Sequence, residues 1–258
     1  MLLDTDTRVL AAVNLHAVFG ALPRLVELDA EARALLAGLS TPTTLALTVK
    51  GGPRARYRFS STGVDPVLDG EPGRGPTLFF TSSTHCNAVV AGAAQPIPIA
   101  GLGGIRFLAK VFTPLTEMLG RYLKPSAADL SDEAFAERSI LLTLDVAAHA
   151  IAVVGNEDRS GQFSAKHMPD GDLDLRVGDD IRYRIEIKDH HVRIDDDLSG
   201  PPRATLRFAD LAVAGGILGG TESALVCVAD GRITMAGYIP LVDNTNRILD
   251  RVGAYLGA

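Results

Sequence analysis

The chain has 258 residues, a formal net charge of −6 and 47% hydrophobic residues, with no Trp and 5% aromatics. The acidic balance argues against a nucleic-acid partner, because phosphate binding needs clustered Lys and Arg, and it disfavours a polybasic grip on anionic membrane. Cores built from this composition are aliphatic and rich in small residues.

In chain order, a helix is predicted from Arg8 to Leu22, continued from Leu25 to Leu39 after Pro23. Strands Thr44 to Lys50 and Arg54 to Ser60 flank Gly51-Gly52, a hairpin signal. Thr77 to Phe80 is a strand, followed by a short helix capped by Ser82 or Asn87. Then come a strand from Gln95 to Ile99, a turn at Gly101-Leu102-Gly103-Gly104, a strand from Ile105 to Val111 and a helix from Pro114 to Leu123. Pro125-Ser126-Ala127-Ala128 is the expected linker.

Beyond it, Ser131 and Asp132 are N-cap residues for a helix over Phe135 to Val154, stopped by Gly155-Asn156. Strands Asp172 to Val177, Arg182 to Lys188 and His191 to Ile194 follow, then an acidic, Pro-rich turn from Asp195 to Pro202. Thr205 to Phe208 is a strand, and Asp210 caps a helix to Leu218. Ser223 to Ala229 and Arg232 to Ala236 are read as strands joined by Asp230-Gly231. An amphipathic helix closes the chain, with Leu241, Ile248, Leu249, Val252 and Leu256 on one face.

The halves repeat. Thr77-Leu78-Phe79-Phe80 answers Thr205-Leu206-Arg207-Phe208, and Gly92, Gly103 and Ile105 answer Gly220, Gly231 and Ile233 at the same spacing. Arg56-Tyr57-Arg58 is matched to Arg182-Tyr183-Arg184, and Gly120-Arg121-Tyr122-Leu123 to Gly253-Ala254-Tyr255-Leu256. A repeat of that length is a whole domain. Two domains are therefore expected, over 1–124 and 131–258, each an α+β unit with a sheet covered by helices. The opening Met1 to Asp6 lacks the basic patch and apolar run of a secretory signal. No stretch reaches the roughly 18 uninterrupted apolar residues of a membrane span. No transmembrane segment and a cytoplasmic location are expected.

Chemistry-bearing clusters are few. The glycines of 100–104 precede a strand, not a helix, and lack a following Lys-Ser/Thr, so they read as a turn rather than a phosphate loop. His190-His191 beside Asp195-Asp196-Asp197 offers metal-compatible groups, but adjacent residues on a strand point to opposite faces, so a solvated hairpin is the reading. Ser82, Ser83, Thr84, His85 and Cys86 stand in a row, which is poor geometry for a triad, and no Gly-x-Ser-x-Gly elbow exists. Cys86 and Cys227 read as buried small hydrophobes of a reducing compartment. No catalytic residue, metal site or cofactor is expected.

Ala204 to Asp210, Ile217-Leu218-Gly219-Gly220, the run Asp230-Gly231-Arg232-Ile233-Thr234-Met235-Ala236-Gly237 and the helix Leu241 to Leu256 resemble the C-terminal part of the sterol carrier protein 2 family. The first half is similar only through the repeat, with Ser82 for Asp210 and Ala109 for Gly237. The resemblance implies two tandem sterol-carrier-like domains, each a five-stranded, mostly antiparallel sheet covered by helices around an apolar tunnel. It implies non-enzymatic binding or transfer of a lipid or other hydrophobic small molecule, with transient membrane or enzyme contact. Phe208, Leu218, Ile233, Met235, Ile248 and Leu249 would line the second cavity, and Phe80, Val90, Ile105, Phe107, Leu115 and Leu119 the first. The alternatives are a scaffold or accessory protein with filled cores, and an enzyme acting on a lipophilic substrate near His85 or His149.

Overall fold

The structure, a computed structural model, describes residues 5–68, 71 and 73–257. Residues 1–4, part of the opening expected to lack a secretory signal, lie outside the described residues. The chain divides into two compact units, the first spanning Thr5–Arg138 and the second running from Ser139 onward. The expected linker 125–128 lies inside the first unit.

In the first unit a helix runs over Thr7–Leu28. It is α-helical at Thr7–Val13 (α1), widens to a π turn at Asn14–Val18, tightens at Phe19–Ala21 and resumes at Leu22–Leu28 (α2). Pro23 follows closely on the tightened turn at Phe19–Ala21 and does not end the helix. Helix α3 (Ala30–Leu36) follows, then strands β1 (Thr43–Val49), β2 (Arg54–Phe59), β3 (Val64–Pro66) and β4 (Thr77–Phe80). Helix α4 (Ser83–Val90), strand β5 (Ile97–Ile99), helix α5 (Leu102–Phe107), a second π turn at Leu108–Phe112 and helix α6 (Thr113–Leu123) complete the set.

The second unit repeats the plan. Helix α7 (Glu133–Glu157) leads into α8 (Arg159–Lys166), then β6 (Gly171–Val177), β7 (Ile181–Lys188), β8 (His191–Asp195) and β9 (Ala204–Phe208). Helices α9 (Leu211–Leu218) and α10 (Ala224–Ala229), strand β10 (Ile233–Gly237) and helix α11 (Ile239–Leu256) close it.

Both units hold a five-stranded sheet, ordered β3-β2-β1-β4-β5 and β10-β9-β6-β7-β8. Corresponding strands occupy corresponding places, and each sheet is antiparallel except for its central pair, β1 with β4 and β6 with β9. Period-two patterning sets the faces: Leu45, Leu47 and Val49 of β1 are buried on one side, as are Leu173, Leu175 and Val177 of β6. The helices α4 and α9 begin alike, for Ser82 Oγ accepts from the His85 N–H at 3.1 Å and Asp210 Oδ1 from the Val213 N–H at 2.8 Å. The exchange of Asp for Ser therefore preserves the cap.

Several expectations fail, each for a local reason. The glycines expected to turn into a strand instead open a helix, with Gly101 at the N-cap of α5, and Ile105 to Val111 is helical, β5 having already taken the first sheet's edge at Ile97–Ile99. Ser223 to Ala229 is likewise not a strand: Ala224–Ala229 forms α10, which the first unit lacks. That insertion shifts the repeat, so Gly103 and Ile105 do not correspond to Gly231 and Ile233. Arg56-Tyr57-Arg58 was also matched two residues out of place. Ala46 pairs with Arg56 and with Thr77, whereas Asp174 pairs with Arg184 and with Thr205, so Arg56 answers Arg184 and Tyr57 answers Ile185.

Gly155-Asn156 does not stop α7 either. The helix continues to Glu157. Its glycine makes room for Val192, whose Cγ2 would stand 3.0 Å from an added Cβ, while Asn156 clasps the Val192 backbone through Nδ2 to the carbonyl at 2.6 Å and Oδ1 from the N–H at 2.9 Å.

Two helices, Thr7–Leu28 and Glu133–Glu157, prove long and apolar enough to cross a membrane by length and composition. Of the apolar window in each, 61% and 67% is buried within the protein, as in core helices.

Candidate functional site: a sheet-and-helix interior in each unit

Each unit closes its interior with its last helix. In the second unit α11 packs on α8 and crosses β9, and its buried stripe is Leu241, Val242, Thr245, Ile248, Val252 and Tyr255. The stripe takes Tyr255 in place of the expected Leu256, and Leu249 sits half-buried at its margin.

The tyrosine fixes the helix to the rest of the unit. Asp158 caps α8 by accepting the Ser160 and Gly161 N–H groups on Oδ1 at 2.8 and 3.0 Å. Its other oxygen accepts the Tyr255 hydroxyl at 2.7 Å and the Arg251 Nε–H at 3.1 Å. In the first unit Asp29 caps α3 through Glu31 and Ala32 at 2.7 and 3.0 Å, and its Oδ2 accepts Tyr122 at 2.6 Å and Arg138 at 3.4 Å. Burial pushes both carboxyls up, but the tyrosine hydroxyl, the backbone donors and the arginine together outweigh it and leave both below the usual range. Burial and the Asp29 bond push the Tyr122 phenol up to about 12. Sequence reading found the two tyrosines but not their aspartates, which are followed by dissimilar residues.

The interiors differ in what fills them. In the first unit four rings interlock: Phe59 meets Phe107 at 5.1 Å and Phe112 at 6.2 Å, and Phe112 meets Phe19 at 5.8 Å. Phe107, expected to line a cavity, thus packs edge-on against the sheet. Leu115 and Leu119 are buried on α6, which packs against α2 and α3. Phe80 is buried at the end of β4 with its ring 6.1 Å from that of His85. Val90 is half-buried and Ile105 exposed. In the second unit the register puts Ile187 where the first has Phe59. One ring pair there joins Phe163 on α8 to His167 just beyond it, and Phe163 is exposed. Ile233 and Ile248 are buried, Phe208 and Leu249 half-buried, and Leu218 and Met235 exposed.

Large apolar side chains are also exposed outside these interiors. In the second unit they include Leu225, 79% exposed, with Leu218, Val226, Val228, Tyr238 and Ile239. In the first they include Leu102, 93% exposed, with Ile97, Ile99 and Ile105. A recess of about 320 Å³ opens in the first unit between Pro23, Val26, Glu27, Arg33 and residues 62–65, but its charged lining suits no aliphatic chain.

The polar clusters resolve into structure. The His85 Nδ1 accepts the Thr81 N–H at 3.1 Å, which leaves Nε2–H to donate to the Gln95 carbonyl at 2.9 Å. His149 Nδ1 lies 2.8 Å from the Asp145 carbonyl one turn earlier. Asp189 and His190 have φ of 50° and 64° and form the left-handed turn joining β7 to β8. Among the described residues no group of three or more His, Cys, Asp or Glu side chains converges as a metal site would require. Cys86 is buried, and burial pushes its thiol up to about 12. Burial and the Glu222 hydrogen bond raise Cys227 as well. A thiol-reactive disulfide is therefore expected to label neither cysteine in the native chain and both in urea; rapid native labelling of Cys86 would contradict its placement.

No family model matches the chain, and no curated protein matches it. Among solved structures, the sterol carrier protein 2 like 2 (SCP2-L2) of Aedes aegypti aligns at 15% identity with a TM-score of 0.30, covering 40% of this chain and 94% of that one. At that level of likeness, what the chain does has to be read from its own residues.

Proposed function

We propose that the chain is a duplicated α+β carrier that binds a lipid or other hydrophobic small molecule without transforming it, and that the second unit holds the ligand. The observation that supports this reading most directly is the contrast between the interiors. Four interlocked phenylalanine rings occupy the first, whereas the second has Ile187 at the matching strand position and, on α11, Leu241, Val242, Ile248 and Val252 beside Thr245 and Tyr255. The shared strand order, with its central parallel pair, supports a duplication. Burying a methylene is worth about 0.8 kcal/mol, so an acyl chain gains on the order of 10 kcal/mol before ordering costs and needs few polar contacts. Leu218 and Leu225, exposed on α9 and α10, are the apolar side chains that would meet such a ligand as it enters.

Organic extraction of the purified full chain followed by mass spectrometry tests the reading, with a fluorescent fatty acid as the binding probe. A co-purifying lipid and saturable probe binding are expected. Leu249→Trp, which adds bulk beside Ile248, is expected to weaken probe binding about tenfold. Leu119→Trp in the first unit is expected to cost about 1–3 kcal/mol of stability by overpacking and to leave affinity unchanged. Equal affinity in wild type and Leu249→Trp would sink the placement, and absence of both lipid and probe binding would sink the carrier. The exposed apolar face of α10 favours one second reading, an accessory interaction protein; a ligand-free chain with a stable protein partner is its signature.

A further inference from the structure

The outer edge of β10 is open. The Ala209 N–H bonds the Arg232 carbonyl at 2.8 Å and the Tyr238 N–H bonds the Arg203 carbonyl at 3.0 Å, so even-numbered residues of the strand turn their backbone groups toward β9. Thr234 and Ala236 accordingly sit opposite Arg207 and Thr205. Ile233, Met235 and Gly237 turn theirs outward, and among the described residues no strand pairs with that side. The strand carries neither charge nor proline, and all of it except Ile233 is exposed. Such an edge templates another strand unless something blocks it.

The first unit has the block. Ala46 and Lys50 bond the Pro76 and Phe80 carbonyls at 3.0 and 2.9 Å, so Thr77 and Phe79 face β5, and Pro98 points outward from the sheet with no N–H to give. Thr77 pairs with Ile99 where Thr205 pairs with Ala236, which places Pro98 at the position of Met235. One edge is closed by proline; its counterpart is left free.

We propose that β10 pairs with β10 of a second copy of this chain, antiparallel about a two-fold axis at Met235. The register follows from the outward groups: Met235 opposes itself, Ile233 opposes Gly237, and each pair exchanges backbone hydrogen bonds. No like charges meet, because the strand has none. At the ends Arg232 opposes Tyr238, whose ring already carries the Arg203 guanidinium at 4.6 Å. A foreign peptide would need side-chain pockets beside the strand, whereas the strand itself satisfies this symmetric register.

Sedimentation velocity of the full chain across a concentration series tests the pairing. The wild type is expected to shift reversibly from monomer to dimer. Met235→Pro, which copies the first unit's device without touching the β9 ladder, is expected to raise the dimer dissociation constant at least about 100-fold with unchanged circular dichroism. Should that variant fail to fold, Met235→Lys and Met235→Glu decide: each alone is monomeric, and their mixture forms a heterodimer. A wild type monomeric at every concentration, a folded Met235→Pro that dimerises normally, or a mixture that stays monomeric overturns the proposal.

Discussion

Asp158→Ala is expected to destabilise the second unit by about 3–5 kcal/mol. The change removes the cap of α8 together with the carboxylate oxygen that accepts from the Tyr255 hydroxyl and from Arg251. Asp158→Asn retains an acceptor for the cap and isolates the charge, for an expected loss of about 1–2 kcal/mol. Urea unfolding of the full chain measures both, and a midpoint for Asp158→Ala within error of wild type would refute the assignment. The same carboxylates set a pH dependence. Their folded-state pKa lies below the unfolded value of about 3.9, so their contribution is complete above that value and is lost as pH falls through the folded one. The wild type is thus expected to weaken below about pH 4, and a chain carrying Asp29→Asn and Asp158→Asn to lose part of that slope.

Arg184→Ala is expected to cost a further about 3–5 kcal/mol, for a different reason. Arg184 is 2% exposed on β7 and lies 3.0 Å from Asp174 on β6. Its other nitrogens donate to the carbonyls of Ser199 and, at 3.0 Å, Gly200. One guanidinium thereby ties the connection from β8 to β9 onto the sheet. The first unit does the same with Arg56, which donates to the Glu71 carbonyl at 2.8 Å. Arg184→Lys keeps the charge but not the fork, and is expected to recover about half of the loss. Deuterium uptake separates this from general weakening: amides of 196–203 should exchange faster in Arg184→Ala than in a core variant of equal stability. Equal uptake would mean the loop is held by other contacts.

The hairpins joining β1 to β2 and β6 to β7, the N-caps at Ser82 and Asp210 and the match of Tyr122 with Tyr255 were legible in the sequence, because period-two alternation, short polar caps and glycine turns are local signals. What escaped it depends on partners far along the chain. The segment 224–229 holds Leu, Val and Cys in a run that suits a buried strand, and only its place after an extra turn makes it α10. The Arg-Tyr-Arg echo was persuasive as letters, yet cross-strand pairing puts Ile185 opposite Leu173 where Tyr57 stands opposite Leu45. Among residues proposed to line cavities, Phe107 turned out to meet Phe59, a contact no local pattern announces.

The displaced tyrosine has a consequence for how the halves can diverge. The Tyr57 hydroxyl donates to the Leu15 carbonyl at 2.6 Å, inside the π turn that widens the first unit's opening helix. The second unit's α7 is regular throughout, and its sheet offers isoleucine at that place. Replacing Tyr57 with isoleucine removes the hydroxyl that donates to the Leu15 carbonyl. Helix irregularity and strand residue thus occur together within a unit, and a chimera that exchanges only one of them breaks that pairing.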